Sequence, residues 1–86
     1  MTSRIAAAAV GRHLTARHHT NSTTGPAWRP GFRAAQASPR TVRLWHDGPD
    51  ETQHLDLYAP VLRAAGYTVI PERTKTKRPA LRITRP

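Results

Sequence analysis

The side chains able to build a hydrophobic core are crowded into the second half of this chain, and that bounds its fold more tightly than any other feature. Fourteen candidates lie between positions 42 and 83: Val42, Leu44, Trp45, Leu55, Leu57, Tyr58, Val61, Leu62, Ala65, Tyr67, Val69, Ile70, Leu81 and Ile83. The preceding stretch holds few large apolar residues, and Gly25-Pro26, Pro30-Gly31 and Ser38-Pro39 break any regular period in it. The folding unit expected from this distribution is residues 41–86, close to the smallest size at which a domain folds unaided. A core that small predicts marginal stability, a homodimer, or folding onto a partner.

Within that unit the patterns are distinct. Residues 41–46 alternate, with Val42 and Leu44 on one side and Arg43 and Trp45 on the other, as a half-buried strand does. Asp47 or Gly48 is then placed to cap a helix over residues 50–65, with Pro49 in its first turn and acids at its positive end. Gly66 suits the left-handed residue that ends such a helix. At 100° per residue Leu57, Val61, His54, Ala65, Tyr58, Leu62 and Leu55 share one face, while Pro60 falls on the opposite side, where it predicts a bend near residues 56–60. Residues 67–73 and 80–84 read as two more strands, and Pro71, which has no N–H to donate, assigns the first of them to an edge. The expectation is an α+β fold: a β-α-β-β module whose three-stranded sheet has the order 1-3-2 and one helix on one face.

Residues 1–40 read as a largely disordered basic arm. Ser3 and the alanines that follow support a weak helix over residues 4–17, interrupted at Gly11, and Ile5, Val10 and Leu14 share no narrow face. An organelle-type targeting segment and an extension upstream of a misplaced start are the competing readings of this stretch. Residues 20–40 have the composition of a linker. In Trp28-Arg29-Pro30-Gly31-Phe32-Arg33 two aromatics interleave with arginines, which suits either stacking on unpaired bases or covering the apolar surface of the following module.

Charge narrows the partners. Fourteen Lys and Arg face five acids, for a net charge of +9. Residues 1–40 carry +6 with no acid, residues 41–66 carry −2, and residues 67–86 carry +5. Basic ends around a mildly acidic centre point to a polyanion, most often DNA or RNA. The chain has no cysteine, which suits a reducing compartment such as the cytoplasm. Its longest apolar run, residues 5–10, is too short for a membrane span.

The pattern offers little to a catalyst. The serines, Ser3, Ser22 and Ser38, all lie in the arm, so no triad assembles. His46 and Asp47 with His54 form the sole acid/base pair in view, but His54 falls on the apolar helical face and Asp47 reads as a cap. His13, His18 and His19 lack the spacing to place three metal ligands on one face, and no Gly-rich phosphate loop follows a strand. No enzyme, cofactor or metal is therefore expected.

The runs T-V-R-L-W-H-D-G-P-D, A-A-G-Y-T-V and R-P-A-L-R-I-T resemble small uncharacterised basic proteins of high-GC actinobacteria. The resemblance covers residues 41–85, implies a bacterial cytoplasm, and brings no activity with it. The residues expected to bind nucleic acid are Arg73, Lys75, Lys77 and Arg78 on the loop joining the last two strands, together with Arg43, Trp45 and Arg82 on the open sheet face. The alternative is a protein-interaction or homodimerisation module using that face and the edge strand.

Overall fold

The computed structural model describes residues 3–23, 25, 27–73 and 78–86. The elements run α1 (Ala7–Thr15), β1 (Gly31–Ser38), β2 (Thr41–Asp47), α2 (Glu51–Ala64), β3 (Thr68–Glu72) and β4 (Ala80–Thr84). The strands make one antiparallel sheet in the order β1-β2-β4-β3. It has four strands where three were expected. The three expected ones keep their relative placement, with β3 and its Pro71 at an edge.

The additional strand comes from the presumed linker. Residues 31–38 hold no proline, and their alternation points Phe32 inward and Arg33 outward. A two-residue turn at Pro39-Arg40 joins β1 to β2, with a register shift between Gln36 and Ser38. The stretch at residues 20–22 lies along the outer side of β1: Phe32 N–H donates to the Thr20 carbonyl (2.8 Å) and Ser22 N–H to the Phe32 carbonyl (2.9 Å). Position 31 must be glycine, because a Cβ there would run into the Thr20 carbonyl.

The arm is likewise part of the core. Ile5, Val10, Leu14 and Phe32 are buried in one cluster with Val42, Leu44, Leu55, Tyr58, Leu62, Val69, Leu81 and Ile83. The helix there is shorter than the expected 4–17, and Ile5 precedes it, so Ile5 does not have to share a helical face with Val10 and Leu14. Gly11 faces the Phe32 ring, which a Cβ at that position would just touch at 3.4 Å. Both helices thus cover the same face of the sheet.

α2 ends as its sequence predicts. Gly66 adopts φ +96°, with Gly66 N–H donating to Arg63 and Tyr67 N–H to Leu62, a Schellman closure. Its start differs, since Asp50 is the left-handed N-cap residue, neither Asp47 nor Gly48, and makes no side-chain capping bond. The docked side is also narrower than expected, carrying Leu55, Tyr58, Ala59 and Leu62, so that Leu57 at the far edge of the predicted arc is 57% exposed. Among the described residues no helix is long and apolar enough to cross a membrane.

Candidate nucleic-acid interface

The pleat of β2 decides what the open face displays. Val42, Leu44 and His46 turn into the core, which leaves Arg43, Trp45 and Asp47 on the side away from both helices. Across the sheet Arg33 pairs with Trp45, Arg43 with Arg82, and Arg82 with Ile70. The Arg33 guanidinium stands 5.1 Å from the Trp45 ring centroid, a cation–π contact, and its Nε is 3.2 Å from Asp47 Oδ2. Arg43 Nε is 3.3 Å from Glu72 Oε1, and Ile70 is 42% exposed. The face is therefore an indole flanked by guanidiniums, with Arg82 unpaired to any carboxylate among the described residues.

The expected loop cations behave differently. Arg73 pairs with Asp56 on α2. Arg78 donates to Asp47 (3.0 Å) and to the His46 carbonyl (2.7 Å), and it lies 3.4 Å from Glu51. These contacts fasten the base of the β3–β4 connection to β2 and α2, so Arg73 and Arg78 are structural ties before they are phosphate ligands. Lys75 and Lys77 lie outside the described residues.

Asp47 is the hub of that end of the molecule. Burial alone would raise its pKa, but the bonds from Ser22 Oγ (2.8 Å) and Arg78 and the nearby charges of Arg33 and Arg78 outweigh burial and hold it below the ordinary carboxylate value. Asp50 and Glu51 follow three and four residues later in the chain, and Glu72 closes β3 at the same end of the sheet.

The opposite end is basic. Where β2 begins and β4 finishes, the register brings Arg40 and Arg85 to the same border, and the Ser3–Arg85 bridge brings Arg4 beside them. Among the described residues none of these guanidiniums is paired with a carboxylate. Sequence reasoning missed Arg4, Arg40 and Arg85, the first two because they were assigned to a disordered arm; Arg33 was noted only within the aromatic-arginine stretch of the linker and not as a neighbour of Trp45. The acid-free run of residues 1–40 was the signal that could have found them.

The histidines form a different group. His46 is 2% exposed; its Nδ1 lies 2.7 Å from Tyr58 Oη, and Nε2 is buried without a partner among the described residues. His54 stacks on it at 3.8 Å, with 4° between the ring planes, and His19 meets Tyr58 edge-on. Burial, and then the charge of His54, lower the pKa of His46 and of His19, and burial pushes the Tyr58 hydroxyl up to about 12. His46 and Asp47 point to opposite faces of β2, so adjacency in sequence does not make them an acid/base pair. His13 packs against Tyr67, away from His19, and the described residues contain no group of three or more metal-ligating side chains. Of the aromatic segment before β1, Phe32 is fully buried while Trp28 is 62% exposed.

The chain matches no known protein family, no curated protein and no solved structure.

Proposed function

We propose that the protein is a nucleic-acid-binding accessory module of low sequence specificity, using the uncovered sheet face and the adjoining basic end. The observation that carries this reading is Trp45, held on a bare sheet between Arg33 and Arg43 with Arg82 beside them. An indole set among guanidiniums can stack on an unpaired base while the carboxylate-free Arg82 holds a flanking phosphate. Four of the five acids sit in ion pairs with Arg33, Arg43, Arg73 and Arg78, so phosphate reaches these guanidiniums only in competition with carboxylates, while Arg82 has no such partner among the described residues. Phosphate contacts come from Arg82 and Arg40, with Lys75 and Lys77 as further contributors. Arg33, Arg43, Arg73 and Arg78 are secondary, since phosphate would have to compete with their carboxylates.

The test is the salt dependence of binding to a short single-stranded oligonucleotide. With about four phosphates neutralised and a slope of roughly −0.7 per phosphate, affinity falls about a hundredfold between ~50 and ~300 mM salt. Trp45→Ala weakens binding at every salt concentration, whereas Arg82→Glu both weakens it and flattens the slope. Equal affinity at both salt concentrations, or no binding at low salt, sinks the proposal.

A second reading is favoured by β3, an edge strand, and by its exposed Ile70 on the same face as Trp45: a second copy pairs through that edge and covers Trp45. It predicts a dimer by sedimentation that Trp45→Ala abolishes and that charge reversal at Lys75 and Lys77 leaves intact.

A further inference from the structure

At the basic end a cavity of about 560 Å³ opens between the start of α1, the end of β1 and the residue after the α2 cap. Its lining is apolar, from Ile5, Ala9, Pro39 and Tyr67 among others, and its charged residues are Arg4 and Arg85. None of the five acids lines it.

The walls are tied together in advance. Gln36 accepts from Ala7 N–H (2.9 Å) and donates to the carbonyls of Ile5 and Ser38 (2.7 Å each), so its amide is already engaged. Ile5 N–H donates to the Pro39 carbonyl (3.0 Å), and Ser3 N–H donates to the Arg85 carbonyl (3.2 Å). The Tyr67 ring is set edge-on against His13, with centroids 5.5 Å apart. Charge recognition inside the cavity therefore falls to the two guanidiniums, which have no carboxylate among the described residues, with the Ser38 and Tyr67 hydroxyls as neutral polar groups beside them.

We propose that this cavity binds a small amphiphilic anion: a flat apolar body bearing one phosphate or carboxylate. An apolar recess of this size shelters one side of a small ligand, Tyr67 offers a ring for the body to pack on, and a guanidinium grips a phosphate or carboxylate through paired N–H donors. The site lies on the helix-bearing side of the sheet, so it goes beyond the polyanion reading and does not use Trp45. The same chemistry is presented by a free aromatic phosphate and by the terminal phosphate and base of a nucleic-acid strand.

The experiment titrates the full chain with 1-naphthyl phosphate and with neutral 1-naphthol, following the backbone amide signals of Ala9 and Tyr67. The phosphate binds, and the naphthol binds at least about tenfold more weakly, the range expected for a hydrogen-bonded charged group. Arg4→Gln combined with Arg85→Gln weakens the phosphate about tenfold to a hundredfold. Ala9→Phe, which fills the cavity, removes binding while the far-UV spectrum stays native. Arg82→Gln and Trp45→Ala leave it unchanged, which separates this site from the sheet face. Displacement by a 5′-phosphorylated oligonucleotide, but not by its 5′-hydroxyl counterpart, assigns the anion to a strand end; displacement by neither assigns it to a free molecule. Equal binding of naphthol and naphthyl phosphate, indifference to the arginine substitutions, or no binding at millimolar probe overturns the proposal.

Discussion

Phe32 is the residue whose removal tests most sharply whether this chain folds as one unit. Its ring is fully buried, rests over Gly11 of α1, and meets Tyr58 of α2 edge-on at a centroid distance of 6.1 Å. Phe32→Ala therefore opens a cavity where α1, α2 and β1 converge, and such a change costs about 3–5 kcal/mol. A chain of 86 residues has a total stability of about 4–13 kcal/mol at typical per-residue values. The variant should lose about a quarter or more of that stability, and its Tm should fall by at least ~12 °C, at about 4–8 °C per kcal/mol. The assay is paired thermal and urea unfolding, with Trp28→Ala as a surface control expected to change stability by less than ~0.5 kcal/mol. The excised fragment 41–86 makes the same point, because it lacks Ile5, Val10, Leu14 and Phe32; burial of four such side chains supplies about 6–12 kcal/mol, and the fragment should not fold. A Phe32→Ala chain with unaltered melting, or a fragment 41–86 that unfolds cooperatively like the whole, would refute the single-core description.

Two further outcomes follow from the ionisable groups. The pKa of His46 is lowered in the fold, so its contribution is present above the unfolded value of about 6.5 and is lost as pH falls through the folded value; the charged groups around it are His54, Asp47, Glu51 and Arg78. Tm should drop as pH is taken from neutral toward 5, and His46→Gln, destabilised at neutral pH, should show a shallower dependence. Asp47 is lowered as well, so its contribution is present above the ordinary carboxylate value and is lost as pH falls through the folded one. Asp47→Asn loosens the ties to Ser22, Arg33 and Arg78, should cost about 1–2 kcal/mol at neutral pH, and should flatten the acid limb of the stability curve.

How much of this was legible in the sequence depended on local signals. The β2, α2, β3 and β4 segments announced themselves through alternation, a proline- and glycine-bounded amphipathic run, and an edge proline. The strand β1 did not, because Phe32 is its one large apolar residue, alanines carry little strand preference, and the prolines at either side mark its ends while imitating a linker. The helix α1 was legible only as a weak one, and its docking was not: two buried residues, Val10 and Leu14, are too few for periodicity, and Gly11, which weakened the pattern, lies in the helix under the Phe32 ring. On the sheet face, Arg43, Trp45 and Arg82 were brought together by alternation alone. The engagement of Arg73 and Arg78 was not visible, since it depends on where α2 places Asp56 and Glu51, a long-range matter that residue spacing does not encode. Ile70 illustrates the limit of reading hydrophobicity as burial: it points to the uncovered side of an edge strand beside Arg82.

The most direct test of the central claim is a shift map of the isotope-labelled full chain titrated with an unstructured oligothymidine at low salt. The Trp45 indole N–H and the amides of Arg33, Arg43 and Arg82 should move together and saturate at one affinity. Shifts confined to Arg73, Arg78 and the outer side of α2, or none on the sheet face at saturating oligonucleotide, would contradict the claim that this uncovered face is where the protein meets nucleic acid.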